Sequence, residues 1–267
     1  VFSARPTDKG RWRFLAPDGY ERFRKMIDPM SQTVVMPPRL TAVNVKGKFM
    51  WWEFDCEGKS AFMMCTYGMS AQWMPVSAAD TKHAGFFIGF TNSSGEYKVL
   101  SFVDPRHFGT IKFVFNRKEI SRKLKSLGYD PLQAQLDPQK IRDLILSKDS
   151  RKTDPICEIL MNQRIFAGVG NYIRAEALWR SELDPWTKAG ELDIVAYRRL
   201  CDNITQVMQE SLASQGATIH TYATPTGDKG VFEMKVYGRS VDAEGNPVKS
   251  QKDSTGRTIH WSPARQK

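Results

Sequence analysis

The residues of this chain best suited to chemistry by type and spacing lie in one short run, Gly168-Val169-Gly170-Asn171. Two glycines flanking one residue let the backbone come close to a ligand, and a helix starting just after them offers unpaired N–H groups and a positive dipole end. A phosphate suits such a turn; so does an ordinary connection between two helices, since glycine turns are common. Charge favours the phosphate. Lys plus Arg number 39 against 29 Asp plus Glu, a formal net charge of +10, which points to a polyanionic partner, nucleic acid ahead of an acidic membrane surface. The four cysteines, Cys56, Cys65, Cys157 and Cys201, are too scattered for a Cys-x-x-Cys metal pair and are expected to be reduced and mostly buried. Pro6 is internal, so its nitrogen is an amide and no nucleophile.

Two helices must position the glycine turn. Asp154-Pro155 predicts a helix start with the Asp oxygen as cap, Ile156, Ile159 and Leu160 follow at helical spacing, and a second helix runs from about Tyr172 to Ser181. Further helices are predicted over 120–127, 138–147 and about 191–214, the last with Leu200, Ile204, Val207, Met208 and Leu212 along one apolar face. Ahead of these, residues 15–115 read largely as strands (41–55, 60–74, 85–90 and 97–103, with a hairpin loop at 92–95) beside one helix over 19–27. Behind them come a polar loop over 217–230, a strand over 232–241, a turn at 243–247 and a strand over 256–261. That ribbon must pack on the helices, because an isolated hairpin is marginal in water. The pattern predicts an α+β protein: an N-terminal β-sandwich over 1–116, a helical domain over 117–230 and a hairpin over 231–267. No apolar run approaches the ~20 residues that cross a bilayer, and the first residues lack a signal-peptide pattern, so a soluble intracellular protein without a membrane partner is expected.

The run GVGNYIRAEALW, residues 168–179, resembles the helix-two-turns-helix motif of the formamidopyrimidine-DNA glycosylase and endonuclease VIII family. The resemblance implies that Asn171, on the turn carrying Gly168 and Gly170, holds backbone phosphates around a damaged nucleotide, and that Glu176 braces the motif from within. The tail, VYGR at 236–239, then GNP, then GRTIHWSP at 256–263, resembles the family's C-terminal zinc finger without its cysteines. Val248 and Gln251 stand at the first pair and Ser262 and Arg265 at the second, so four-coordinate zinc cannot form. The tail looks like the zincless finger of one branch, with no metal and no other cofactor, and Arg257 matches the finger-tip Arg that grips the phosphates of the flipped nucleotide. Asp104-Pro105-Arg106-His107-Phe108-Gly109 and Tyr67-Gly68-Met69-Ser70 resemble the loops that enter the duplex. Met69 and Arg106 would fill the space left by the extruded base, while Phe108 wedges the stack. Extruding a base costs roughly a few kcal/mol, which side chains of the right shape partly offset. His107 departs from the commoner second Arg. Lys46-Gly47-Lys48-Phe49 resembles the hairpin lysine segment, with Lys48 contacting the damaged nucleotide and its phosphate.

The function so implied is a base-excision repair DNA glycosylase with lyase activity at apurinic or apyrimidinic sites. It would act as a monomer on oxidised bases in double-stranded DNA, pyrimidines favoured over purines, in the nucleus or another DNA-containing compartment if eukaryotic. Family members begin, once Met is removed, with Pro-Glu: the proline amine forms an imine at C1′ and the Glu handles protons. This chain opens Val1-Phe2-Ser3, so the expectation is that the catalytic Pro and Glu are missing ahead of Val1. These residues would then bind DNA but fail at chemistry, with Lys48 the first substitute amine. Two other readings stand beside it: a non-catalytic damaged-DNA-binding protein of the same fold, and an RNA-binding protein using a helix-two-turns-helix. The RNA reading accounts for the charge but not for Met69, Arg106 and Phe108.

Overall fold

The computed structural model describes residues 16–27, 38–68, 70–76, 83–216 and 230–267. They fall into two compact units, one running to Leu124 and the other from Lys125 onward.

The first unit follows from strands rich in aromatic and β-branched residues. Strands β1 (Arg39–Lys46), β2 (Phe49–Cys56), β3 (Lys59–Thr66) and β7 (Thr110–Val114) form an antiparallel sheet in the order β1-β2-β3-β7. A second sheet orders β4 (Gln72–Pro75), β6 (Tyr97–Val103) and β5 (Ala84–Thr91) as β4-β6-β5. Trp52, Phe54, Met63 and Cys65 of the first sheet share one core with Phe86, Ile88 and Phe102 of the second, closed by Tyr20 and Phe23 of helix α1 (Tyr20–Ile27). This is the expected sandwich. Helix α2 (Arg117–Lys125) covers the outer face of the larger sheet, Ile120 packing on Phe62 and Val114; it starts three residues ahead of the prediction. The predicted strand over 41–55 is two, because Lys46 pairs with Phe49 and leaves Gly47-Lys48 as a two-residue turn. The stretch over 60–74 likewise breaks between β3 and β4.

The second unit holds helices α3 (Pro138–Leu146), α4 (Asp149–Thr153), α5 (Ile156–Leu160), α6 (Asn171–Arg180) and α7 (Ile194–Ala213), and the hairpin of β8 (Lys249–Lys252) with β9 (Thr258–Trp261). The hairpin has no core of its own. Its Ile259 and Trp261, with Val236 ahead of it, join Leu160, Phe166, Leu178, Tyr197 and Ile204 in a single cluster. Val236 and Ile259 have no exposed surface, and each such side chain adds about 1.5–3 kcal/mol on burial. Every residue of α6 from Ile173 to Trp179 is buried, enclosed by α5, α7 and β9.

Four expectations need correction. Asp154 does not cap α5: Pro155 is at the cap, and the first N–H groups, of Ile156 and Cys157, donate to the carbonyls of Thr187 and Pro185 at 2.9 and 3.1 Å. Helix α7 begins at Ile194, where Asp193 accepts from the Ala196 N–H, and residues 189–191 form a separate 3-10 turn. Leu212 is 66% exposed, because the buried stripe through Ile204, Val207 and Met208 continues to Ser211, whose hydroxyl bonds that of Tyr172 at 2.9 Å. Finally, no strand covers 232–241. The consecutive N–H groups of Lys235, Val236 and Tyr237 all point at the carboxylate of Glu176, whereas successive N–H groups of a strand point to opposite sides. Among the described residues no helix is long and apolar enough to cross a membrane.

Candidate functional site

In the first unit the loop over 104–109 is wound around one buried anion. Asp104 is 1% exposed. Its Oδ1 accepts the Ser70 hydroxyl at 3.0 Å and the Arg106 N–H at 3.2 Å, and its Oδ2 accepts the Gly109 N–H at 2.7 Å. With the backbone pinned inward, the side chains of Arg106 and Phe108 are left outside: Phe108 is 57% exposed and the Arg106 guanidinium lies over its ring at 5.3 Å. The neighbouring turn fits against this loop only through glycine. Gly68 has φ 56°, and a Cβ there would lie 2.5 Å from the Phe108 Cβ and 2.8 Å from its carbonyl carbon. Gly68→Ala is therefore expected to cost about 1–3 kcal/mol, as strain or as displacement of the loop. A thermal melt matching that of the parent would show that the two turns do not need this approach. Met69 lies outside the described residues. Lys48 is exposed at the turn between β1 and β2.

In the second unit the glycine turn is stapled by the side chain of Gln163, to which the sequence analysis gave no role. Gln163 accepts the Gly168 N–H at 3.0 Å and donates to the Val169 and Met161 carbonyls at 2.9 and 3.2 Å, which fixes Gly168 at φ 100°. Gly170 is the N-cap of α6 and brings no side chain to its first-turn N–H groups. Asn171 ties the turn to the hairpin, its Nδ2 donating to the Thr258 carbonyl at 2.9 Å and the Tyr237 hydroxyl at 3.3 Å. Its Oδ1 is buried with no partner among the described residues. Glu176, fully buried, accepts the N–H groups of Lys235, Val236 and Tyr237, each at 2.9 Å.

Arg257 is exposed near the tip of the hairpin. The tip is gripped by both helices of the motif. From α6, Arg174 pairs with Asp253 at 2.6 Å, with side-chain exposures of 0% and 1%, and also donates to the Cys157 carbonyl at 3.1 Å. From α5, Glu158 accepts the Ser254 N–H at 2.9 Å and its hydroxyl at 2.7 Å. Burial pushes the Asp253 carboxyl up, but hydrogen bonds from the Thr255 hydroxyl and Arg174 outweigh it and hold the group below the usual carboxylate range. Sequence reasoning missed Arg174, Asp253, Glu158 and Asp104. One signal was present: Arg174 and Glu176 sit among Ile173, Ala175, Ala177, Leu178 and Trp179, and charges within so apolar a helix have to be paired.

The four positions at which zinc-finger cysteines would stand do not fit a metal. Val248 packs on the helical core, Gln251 is exposed on β8, Ser262 donates its N–H to Gln266 at 2.8 Å, and the Arg265 guanidinium lies 4.3 Å over the Trp179 ring. They offer no thiolate or imidazole, and one is a permanent cation. Among the described residues no group of three or more His, Cys, Asp or Glu is arranged to hold an ion. Polar contacts close this end of the hairpin segment. Asp242, 3% exposed, accepts the Trp179 indole N–H at 3.1 Å and the N–H groups of Glu244 and Asn246 at 2.9 and 2.8 Å, while Arg265 pairs with Glu182 and Glu244. Burial raises the Asp242 carboxyl, yet the bonds from Trp179 and Asn246 carry it well below its ordinary value. The four cysteines are buried, as expected. Burial pushes the thiols of Cys65, Cys157 and Cys201 up to about 12, which leaves them no thiolate for nucleophilic work.

Residues 127–223 match the family model described as the formamidopyrimidine-DNA glycosylase H2TH domain. A formamidopyrimidine-DNA glycosylase from Rhizorhabdus wittichii is 30% identical over 237 residues, 85% of this chain and 82% of that protein. One from Novosphingobium aromaticivorans is 32% identical over 212 residues, 78% and 73% of the two chains. Against the glycosylase of Zymomonas mobilis the match is 29% over 175 residues and spans 62% of that protein's length. Among solved structures, MutM from Thermus thermophilus superposes with a TM-score of 0.73 at 28% identity, covering 89% of this chain and 86% of that one. MutM in complex with DNA containing carbocyclic 8-oxo-G superposes with a TM-score of 0.76 at 22% identity, over 94% and 87% of the two chains, a likeness of fold.

Proposed function

Because the chain belongs to the formamidopyrimidine-DNA glycosylase family, we propose that it binds double-stranded DNA at an oxidised base or an abasic site, turns the damaged nucleotide out of the stack and excises the base. The observation that carries this reading is the exposed Phe108, backed by the Arg106 guanidinium, on a loop whose backbone is pinned by buried Asp104. A ring held in solvent contributes nothing to the sandwich core, whereas its shape fits a base step that has lost a neighbour. Arg106 fills the vacated space together with Met69. In the second unit, the open first turn of α6 behind Gly168 and Gly170 and the guanidinium of Arg257 are donors suited to phosphate oxygens. Of the two bonds made by the Asn171 amide, the one to Tyr237 at 3.3 Å is the longer, and it is the one a phosphate oxygen replaces. Lys48 contacts the damaged nucleotide from the β1–β2 turn, and Glu176 keeps its internal bracing role.

The chemistry of this reading is amine catalysis. A neutral amine attacks C1′ as the glycosidic bond breaks with its electron pair, and then a proton, going to the base; the C1′–O4′ bond opens with a proton to O4′ and leaves a protonated imine, and loss of a C2′ proton then expels the 3′ phosphate. Oxidised pyrimidines are the preferred substrates, and the compartment is whichever holds the DNA. Binding of duplexes carrying a tetrahydrofuran abasic analogue, thymine glycol, 8-oxoguanine or no lesion tests it directly. We expect the abasic analogue to bind about tenfold tighter than undamaged duplex, with a log–log salt slope of about −0.9 per phosphate neutralised. Arg106→Ala with Phe108→Ala should erase that preference and spare binding to undamaged duplex. Equal affinity for damaged and undamaged duplexes, or tighter binding of structured RNA, would sink the reading. Base release from thymine glycol ahead of 8-oxoguanine supports the pyrimidine preference, the opposite order overturns it, and binding without any release leaves a damaged-DNA binder.

A further inference from the structure

We propose that Thr255 is the positioning residue for Arg257, its hydroxyl tethering the guanidinium near the tip of the hairpin so that the remaining N–H groups face a phosphate. The inference rests on the reading of this protein as a binder of damaged DNA and assigns to a residue outside the resemblance the task of aiming the phosphate-gripping side chain.

The direction of each hydrogen bond is fixed by chemistry. A hydroxyl has one hydrogen and two lone pairs, and an ionised carboxylate can only accept. The Thr255 Oγ1 lies 2.7 Å from the Asp253 Oδ1, so its hydrogen is committed there. The Arg257 Nη1 at 2.9 Å therefore meets a lone pair, and the guanidinium spends one of its donors on the tether. The same Asp253 oxygen accepts the N–H groups of Thr255 and Arg257, each at 2.9 Å, so the backbone that carries the arginine and the side chain that aims it turn about one atom.

That atom is itself anchored. The other Asp253 oxygen takes the buried Arg174 guanidinium at 2.6 Å, and Ser254 is hooked to Glu158 of α5. The tether thus leads back to the two helices that flank the Gly168–Gly170 turn, and Arg257 is referred to the same frame as Asn171. Pairing with Arg174 has a second effect. An unneutralised Asp253 carboxylate next to the tip would compete with DNA for the Arg257 guanidinium; Arg174 meets that charge from inside, and the guanidinium donates to the neutral Thr255 hydroxyl. A side chain already oriented has less freedom to lose when it binds, which is where the gain in affinity arises.

Thr255 is exposed, so it can be changed without opening the core. The test is a double-mutant cycle on the full chain, read as affinity for a duplex with one tetrahydrofuran site. Thr255→Val should weaken binding about three- to tenfold, the loss of the hydrogen bond to the guanidinium, and, because the bond from the hydroxyl to Asp253 goes with it, should lower the melting temperature by only about a few degrees. Thr255→Ser, which keeps the hydroxyl, should bind like the parent. In an Arg257→Ala background Thr255→Val should have no further effect, because there is no guanidinium left to aim. Three results overturn the proposal while leaving the function intact: parent-like binding by Thr255→Val, equal damage from Val and Ser, or a Thr255→Val penalty that persists without Arg257. A parent chain that does not prefer the abasic duplex ends both the functional reading and this one.

Discussion

Glu176→Ala is expected to destabilise the second unit by about 3–5 kcal/mol, the scale for stranding several buried polar groups at once. Three backbone N–H groups, those of Lys235, Val236 and Tyr237, have their described partner in this one carboxylate at 2.9 Å. Alanine leaves them facing a void in a helix buried on every side. Glu176→Gln should fall between parent and alanine, because the amide keeps one acceptor and turns an N–H₂ group toward at least one N–H. Urea unfolding gives the free energies, and amide hydrogen exchange locates the loss, with protection expected to fall over 235–237 and β9 while β2 and β3 keep theirs. An alanine variant within about 1 kcal/mol of the parent, or exchange raised evenly over both units, would show that the carboxylate does not organise this segment.

The same segment shows what periodicity can and cannot report. Phe232, Met234 and Val236 alternate with Glu233 and Lys235, and all three apolar residues are buried, so the pattern identified the buried side chains correctly. It did not identify the backbone, because a carboxylate some 60 positions earlier collects the N–H groups that a strand would have paired. Leu212 failed for a related reason: helical spacing allowed the core face to continue through 211 or 212, and the Tyr172 hydroxyl selected the serine. Local signals did well where the partner is also local. The helix expected from 138 does start there, with Asp137 accepting from the Gln139 and Lys140 N–H groups, and 92–95 closes the β5–β6 hairpin with Asn92 accepting from Ser94 and Glu96. Of the candidate site, family resemblance named the exposed Arg106, Phe108 and Arg257 and one buried support, Glu176, but not the other supports. Ser70 reaches Asp104 across 34 positions and Arg174 reaches Asp253 across 79, distances over which residue spacing carries no information.

Arg174→Met is expected to cost about 3–5 kcal/mol at pH 7, because it leaves the Asp253 carboxylate buried without its cation. Replacing both partners by apolar residues should not restore the parent, contrary to the common behaviour of buried ion pairs, since Asp253 also holds the N–H groups of Thr255 and Arg257. Acid separates the ion-pair account from simple loss of packing. In the parent, Asp253 and Asp242 are held below the usual carboxylate range. Their stabilisation is complete above the unfolded value of about 3.9 and is lost as pH falls through the lower folded values. The second unit should therefore hold its stability from pH 7 to 5 as far as these groups are concerned, and lose it below about pH 4. In Arg174→Met the lowering at Asp253 is smaller: the bonds from Thr255 and Arg257 remain, but without the cation the carboxyl moves up toward its ordinary range, so its protonation begins at higher pH and costs less stability. The gap between variant and parent in urea midpoint should be widest above about pH 5 and narrow as pH falls below about 4. A gap that stays constant from pH 7 to 3 would mean that Arg174 supports the hairpin by filling space, and that the charge on Asp253 is not what it answers.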